Sequence, residues 1–226
     1  MKTTIRNLAV LAVTIFASPI AHAQGTTYVS NLEQTSIGSV DVGSDLWRAA
    51  LFGTGNNASG YIFNSVQLMM ADASGNPSGF TVMLYASDGN PSGGNPGSSL
   101  GTLYGSLNPA TSGMYSYTPS STITLLPHTE YYIVLTAGTT VATGAFDWSL
   151  TDTFSYNTSG GWGVGNYEGS IGAVLSSGDG LSWGYNRGNL QFALNATPVP
   201  EPSTELLLGL GGILILGFGR WKAKAV

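Results

Sequence analysis

The sequence predicts an all-β protein whose central part is an antiparallel β-sandwich or jelly roll. Charged residues make up 8% of the 226 residues, against about a quarter in a typical soluble protein, so the charged face of surface helices is missing. The 32 glycines and many Ser, Thr and Asn residues favour frequent turns. Between the turns, apolar and polar side chains alternate, as half-buried strands require. We expect an N-terminal signal peptide and a single C-terminal transmembrane helix on either side of this body.

Residues 1–23 have the three parts of a secretory signal peptide. A basic start with Lys2 and Arg6 precedes an apolar stretch, and residues 21–23 (Ala-His-Ala) supply the small–x–small cleavage pattern. The apolar stretch is too short to remain as a membrane anchor. We therefore expect export of the protein and a mature chain that begins at Gln24.

A second apolar segment, residues 206–218, is followed by the basic residues Arg220, Lys222 and Lys224. Thirteen helical residues span about 20 Å, which is less than the roughly 30 Å hydrocarbon core of a bilayer. The nineteen residues 203–221 cross it if the terminal lysines extend to the interface. The basic tail should stay cytoplasmic. We therefore expect one membrane helix with the body on the outer side.

The segment before this helix is rich in proline and consists of Val199, Pro200, Glu201, Pro202 and Ser203. With the apolar span and the basic tail, it resembles the PEP-CTERM sorting signal of Gram-negative bacteria over the last thirty residues or so. The resemblance implies export across the inner membrane and processing by an exosortase, an intramembrane cysteine-type transpeptidase. It also implies that the protein is anchored until processed and then lies at the surface, or outside, of an exopolysaccharide-producing cell. Glu205 departs from the pattern, because family tails are usually apolar there, and this carboxylate shortens the span.

The chain is thus expected to divide into a signal peptide (1–23), a body (24–196) and a sorting signal (197–226). The body holds ten acidic and two basic residues, a net charge of −8. Two arginines cannot neutralise a run of phosphates, so nucleic acid is excluded as a partner. The chain has no Cys, so the fold must be stabilised by its core rather than by disulfides.

Alternating side chains locate the main strands, of which roughly ten are expected from the spacing typical of such folds. The expected strands are residues 61–71 with Ile62, Val66, Leu68 and Met70 near one face, 80–85 with Phe80, Val82 and Leu84 on one face, 131–136, 146–150 with Phe146, Trp148 and Leu150 on one face, and 190–194 with Leu190, Phe192 and Leu194 on one face. Trp47 and Trp148 are expected in the core.

Several segments of the body carry a second resemblance: Trp47, residues 52–55 (Phe-Gly-Thr-Gly), 80–85, 96–100 and 129–135, and Trp148. Their arrangement resembles the choice-of-anchor domains that accompany PEP-CTERM tails, most nearly the group lettered R. That resemblance implies no enzymatic activity and no catalytic residues.

The residues themselves also favour a protein that is not an enzyme. His128 is the only histidine left after signal cleavage, and its position after Pro127 favours a solvated turn residue over a catalytic base. One His without Cys cannot fill a closed zinc site. A glycosidase needs a pair of facing carboxylates, and such pairs could be formed among Glu130, Asp147 and Asp152. The favoured interpretation is that these residues are solvated acids.

Residues 88–93 (Asp-Gly-Asn-Pro-Ser-Gly) match the first half of a calcium-binding EF-hand loop. The twelfth position of that loop is Ser99 instead of the bidentate Glu. Asp and Asn also favour turns by themselves. We therefore expect a turn and no cofactor, with a Ca²⁺ site at Asp88, Asn90 and Ser92 as the less favoured alternative.

The aromatic residues leave two functions open. Trp162 lies in a Gly-rich stretch that could leave its indole uncovered, and Tyr156 and Tyr167 bracket it. Exposed aromatic rings can stack on sugars, whereas most Trp and Tyr side chains pack in a core. We expect an exported, non-enzymatic surface or matrix protein. The alternative is a carbohydrate-binding module that recognises exopolysaccharide through Trp162, Tyr156 and Tyr167.

Overall fold

The structure, a computed structural model, describes residues 25–90, 94–164, 174–186 and 188–201, and the backbone of 166–167 and 170–171. Within these residues the chain forms strands and loops and no helix, which confirms the all-β prediction. The strands are β1 (Thr26–Ser30), β2 (Gly38–Val42), β3 (Trp47–Gly53), β4 (Tyr61–Gly75), β5 (Thr81–Ser87), β6 (Pro96–Tyr104), β7 (Gly113–Pro119), β8 (Ile123–Leu125), β9 (Glu130–Thr136), β10 (Gly144–Thr151), β11 (Asn157–Thr158), β12 (Gly163–Val164), β13 (Asn166–Tyr167), β14 (Ser170–Ile171), β15 (Val174–Ser177), β16 (Gly184–Asn186), β17 (Asn189–Leu190) and β18 (Phe192–Pro198).

Sixteen of these strands form one antiparallel sheet, and β13 and β14 form a separate hairpin. The main order is β11-β1-β18-β4-β7-β6-β5-β9-β3-β15-β16, with β2, β8, β10, β12 and β17 paired off this path. The C-terminal strand β18 lies between β1 and β4. The described part of the chain has more strands than the ten expected, because several of them are only two or three residues long.

The main hydrophobic core joins strands that are far apart in the sheet order. The rings of Phe80, just before β5, and Phe146 in β10 are 4.9 Å apart. Trp148 is fully buried in this core, as predicted. The alternating residues of the predicted strands at 80–85 and 190–194 are buried here as expected. The core therefore brings together residues from strands that are not neighbours in the sheet.

The longest strand, β4, changes the face that its side chains occupy partway along. Tyr61 and Phe63 are buried in the core, and so are Val66, Leu68 and Met70. In the pairing with β18, Ser65 and Phe63 oppose consecutive residues, which leaves Asn64 as the extra residue of a β-bulge. Strict alternation had placed Ile62 on the core face, and that prediction is wrong: Ile62 lies on the outer face because the bulge shifts the pattern by one residue.

A second apolar cluster lies on the outer face of β3, β9 and β15. Its fully buried members are Ala49, Leu51, Tyr132, Val134 and Leu175. Trp47 packs against this cluster instead of the main core and is half-buried. Gly180 lies so close to the Trp47 ring that an added Cβ would come within 2.8 Å of it. This part of the sheet is therefore buried on both faces.

The fully buried side chain of Asn31 connects the end of β1 to the start of β18. Its Nδ2 donates to the carbonyl of Leu190 at 3.0 Å, and its Oδ1 accepts from the backbone N–H of Phe192 at 2.9 Å. These two bonds satisfy backbone groups where the chain passes from β17 to β18. Asn31 is therefore a polar clamp between β1 and the connection from β17 to β18.

We expect Asn31→Ala to lower the free energy of unfolding by about 2–5 kcal/mol, because two buried backbone groups lose their partners. Urea-induced unfolding followed by tryptophan fluorescence measures the change. Asn108→Ala, at an exposed position, is the matched control and should change stability by less than about 0.5 kcal/mol. Equal effects of the two substitutions would contradict the clamp.

Candidate functional site

Trp162 lies in the hydrophobic core, with 4% of its surface exposed. Its ring stacks on Tyr28 at 4.8 Å and on Phe52 at 5.9 Å, and meets the edge of Tyr61 at 5.0 Å. The expectation that neighbouring glycines leave the indole uncovered is wrong. Gly160 and Gly161 have φ of 59° and 77°, so they form a left-handed turn that returns Trp162 to the core.

The two tyrosines that bracket Trp162 do not extend it into a described binding surface. Tyr156 is half-buried, its ring lies 6.1 Å from that of Phe192, and its hydroxyl is 3.4 Å from Oδ1 of Asn189. Burial raises the pKa of Tyr156. Tyr167 is described only by its backbone, which pairs with Ser170 in the β13–β14 hairpin. Trp162, the central residue of the predicted aromatic glycan site, is therefore buried and cannot stack on a sugar at the surface.

The loop with the calcium-like sequence is organised around the carboxylate of Asp88. Oδ1 of Asp88 accepts the backbone N–H groups of Asn90 and Asn95, both at 3.1 Å. This is the hydrogen bonding of an Asx turn. The third candidate ligand, Ser92, lies outside the described residues. Within the residues that are described, no group of three or more His, Asp or Glu side chains is placed to hold a metal ion.

The candidate catalytic groups lie in different places. His128 and Glu130 line one cleft of about 640 Å³ together with Asn90. His128 has a positive φ of 49°, and burial raises the pKa of Glu130. Asp147 lies elsewhere, in the β2–β10 pair. The cleft thus brings together two of the catalytic candidates, His128 and Glu130, and one of the calcium candidates, Asn90.

Asp147 has a carboxylate partner that the sequence did not indicate. It is 8% exposed and lies directly opposite Asp41 across β2 and β10. The hydroxyl of Ser39 donates to its Oδ1 at 2.9 Å. Burial, with a smaller contribution from neighbouring Asp41, raises the pKa of Asp147. The close approach depends on strand register, so spacing along the chain could not reveal it.

The first residues of the Pro-rich motif are bound to the turn at residues 57–60. The backbone N–H of Val199 donates to the carbonyl of Gly60 at 3.0 Å, and Nδ2 of Asn57 donates to the carbonyl of Val199 at 3.1 Å. The backbone N–H of Ala58 donates to Oε1 of Glu201 at 3.2 Å. This turn, which the sequence did not single out, therefore holds the start of the motif against the folded body.

The remainder of the expected sorting signal lies outside the described residues. This applies to Pro202 and Ser203, to the apolar segment 206–218, and to the basic residues Arg220, Lys222 and Lys224. The expected signal peptide, 1–23, lies outside them as well. The part of the chain that the structure describes contains no helix long and apolar enough to cross a membrane.

A groove of about 890 Å³ runs over the outer face of β1, β18 and β4 and is bounded by the loop that follows β7. The residues that line it are uncharged, and most carry amide or hydroxyl groups; they include Thr27, Ser65, Gln67, Thr118, Ser121 and Asn195. They come from four separate parts of the chain. Only the order of strands in the sheet brings them together, so no pattern along the chain points to this groove.

No family model, curated protein or solved structure matches this chain.

We expect Trp162→Ala to lower the free energy of unfolding by about 3–5 kcal/mol, because it removes a ring packed against three others. Nε1 of Trp162 is buried without a hydrogen-bond partner among the described residues, so Trp162→Phe should cost much less. Thermal or urea unfolding measures both. Tyr104→Ala, at a side chain that is 59% exposed, is the control. A Trp162→Ala protein as stable as this control would contradict the core position.

We expect Asp147→Asn to change how stability depends on pH. The folded protein holds the Asp147 proton more tightly than the unfolded chain, so ionisation at higher pH costs stability. That loss begins above the ordinary pKa of 3.8 and is complete above the raised value. The stability of Asp147→Asn relative to wild type should therefore rise as the pH increases above about 4. Urea unfolding at several pH values tests this, with exposed Asp152→Asn as control, and a pH-independent difference would contradict it.

Proposed function

We propose that this chain is a non-enzymatic protein of the cell surface or extracellular matrix, exported by an exopolysaccharide-producing Gram-negative bacterium and processed at its tail by an exosortase. The tripartite tail, residues 199–224, supports the sorting step. The membrane is a partner through the 206–218 segment until processing. The observation that carries the proposal is that the Pro-rich motif begins directly after Pro198, the last residue of β18, a strand that is paired on both sides.

The position of β18 suits a tether. This strand pairs with β4 along its whole length and with β1 over much of it. A pull on the tail acts along the strand, so the hydrogen bonds to both neighbours bear the load together. An edge strand would have the hydrogen bonds to only one neighbour to bear this load. The tail would therefore hold the body firmly to the membrane or to whatever replaces the membrane helix.

We also propose that the sheet forms a β-sandwich of the jelly-roll type, as the choice-of-anchor resemblance implies. The contact of Phe80 with Phe146 and the stacking of Trp162 on both Tyr28 of β1 and Phe52 of β3 support two facing layers, because the strands joined in each case are distant in the sheet order. A rigid, disulfide-free domain of this kind suits display outside the cell. The signal peptide and the transmembrane sorting helix at its two ends belong to the same proposal.

We also propose that the protein has no enzymatic activity. The hydrogen bonds and the positions of the candidate acidic residues support this. Oδ1 of Asp88 caps a turn, and Asp147 accepts a hydrogen bond from Ser39 beside Asp41. Asp152 is exposed, away from the cleft that Glu130 lines. Asp88 and Asp147 therefore have structural roles, and Asp152 is a solvated surface acid.

We expect Glu201→Gln and Pro202→Ala to leave the full-length protein unprocessed and membrane-bound in a host that contains an exosortase. Immunoblots of membrane and medium fractions measure the outcome. Asn57→Ala is the matched control, because it removes the bond to Val199 without changing the motif, and its product should still be released. Unchanged release of both motif variants would contradict the sorting proposal.

A further inference from the structure

The groove on the outer face of β1, β18 and β4 contains a fixed row of polar side chains. The hydroxyl of Thr27 donates to Oδ1 of Asn195 at 2.6 Å, and Nδ2 of Asn195 donates to the hydroxyl of Ser65 at 3.0 Å. Each of the three residues comes from a different neighbouring strand. The cross-strand bonds hold the Asn195 amide in one orientation, so part of the groove is organised before any ligand arrives.

Beside this row, the groove presents polar groups without internal partners. The side chains of Gln67, Thr118 and Ser121 make no hydrogen bond to another residue in the described parts of the chain. Gln67 is half-buried, and Thr118 and Ser121 are exposed. An amide offers both donors and an acceptor, and a hydroxyl offers a donor and acceptor sites. The groove can therefore pair with a ligand that both donates and accepts.

The charges near the groove restrict the ligand to a neutral one. None of the residues that line it is charged, in a body whose net charge is −8. The described arginine, Arg48, is engaged elsewhere, because its Nε donates to the carbonyl of Asp41 at 2.8 Å. An anionic polymer would meet no cation in the groove and would be repelled by the protein as a whole.

The position of the groove inside the sheet disfavours a peptide ligand, and its polar lining disfavours a lipid. A peptide that binds by adding a strand needs an open sheet edge, but β4 and β18 are both hydrogen-bonded on two sides. A lipid chain needs a mainly apolar groove, whereas most of the residues that line this one carry amides or hydroxyls. The volume of about 890 Å³ lies within the range of small-molecule sites, about 300–1,000 Å³.

We propose that this groove binds a neutral polysaccharide chain, whose hydroxyl groups pair with Gln67, Asn195 and Thr118. The apolar sugar faces contact Ile62 and Pro119, which also line the groove. Glycan recognition would then depend on this groove and not on Trp162, Tyr156 and Tyr167. It would not require processing of the tail. Each hydrogen bond contributes about 0.5–1.5 kcal/mol, so one groove binds weakly and many displayed copies bind together.

Affinity electrophoresis of the purified, unprocessed full chain in detergent tests the site. The gels contain dextran, galactomannan or soluble β-glucan as neutral polymers, or alginate as the anionic one. Wild type should be retarded by at least one neutral polymer and not by alginate. Gln67→Ala and Asn195→Ala should each weaken binding about three- to tenfold, as the loss of one or two hydrogen bonds predicts.

Two controls separate binding from folding. Gln34→Ala and Asn108→Ala change the same residue types outside the groove and should leave retardation unchanged. Gln67→Glu places a charge on the exposed side of the sheet, so it should abolish retardation while the midpoint of thermal unfolding stays within a few degrees. Retardation by no neutral polymer, stronger retardation by alginate, or equal retardation of wild type, Gln67→Glu and Asn195→Ala would each overturn the proposal. Because the chain is unprocessed, none of these results depends on the sorting signal.

Discussion

The architecture depends on β4 and on the bulge at Asn64 within it. Along its 15 residues β4 pairs with β18 and β8 near its start, with β7 in the middle and with β10 near its end. A strand whose side chains alternated without interruption would present one set of residues to the core. The bulge at Asn64 changes the set, so that Phe63 and Val66 both point inward. Asn64 and Ser65 then remain outside. The same local irregularity therefore completes the core and forms part of the groove floor.

Buried polar side chains provide the second constraint, because the sheet must change partners without leaving backbone groups unpaired. Between β17 and β18, the chain leaves its pairing with β10 and begins to pair with β4. At that point the N–H of Gln191 donates to Ser149, and its carbonyl accepts from both Met69 and the Trp148 indole. The side chain of Asn31 forms hydrogen bonds with the backbone of the residues on either side, Leu190 and Phe192. In a chain without cysteine, such hydrogen bonds and the aromatic core take over the role of covalent cross-links.

The sequence predicted what depends on local pattern and missed what depends on register. Alternation located the strands around Phe80, Phe146 and Phe192, because a side-chain period of two is a local property. The misplacement of Ile62 followed from a bulge, which inserts one residue and leaves no mark in composition. The glycines beside Trp162 are consistent in sequence with an uncovered indole, but Gly160 and Gly161 provide the positive φ that a tight turn requires. Here the same residues fit both interpretations, and only the packing of Tyr28 and Phe52 distinguishes them.

The candidate sites, like the core, depend on contacts between distant parts of the chain that a local sequence pattern does not predict. The motif at 199–203 is contiguous, so it could be found in the sequence, but the turn at 57–60 that binds it lies far away along the chain. The groove gathers side chains from positions as distant as Thr27 and Asn195. Asp41 and Asp147 likewise approach only through the register of β2 with β10. Contacts of this kind are fixed by strand order, and a single sequence carries no direct record of that order.

Strand β18 connects the proposed groove to the proposed tether. Asn195 faces the groove, and only four residues later Val199 enters the Pro-rich segment. A polysaccharide held by Asn195 would load the same strand that leads to the membrane. Because β4 and β1 hold β18 on both sides, that load would pass along a strand inside the sheet and leave the core around Phe63 and Leu194 undisturbed. Recognition and anchoring would then use one strand, with the ligand on its outer face, the core on its inner face and the anchor at its end.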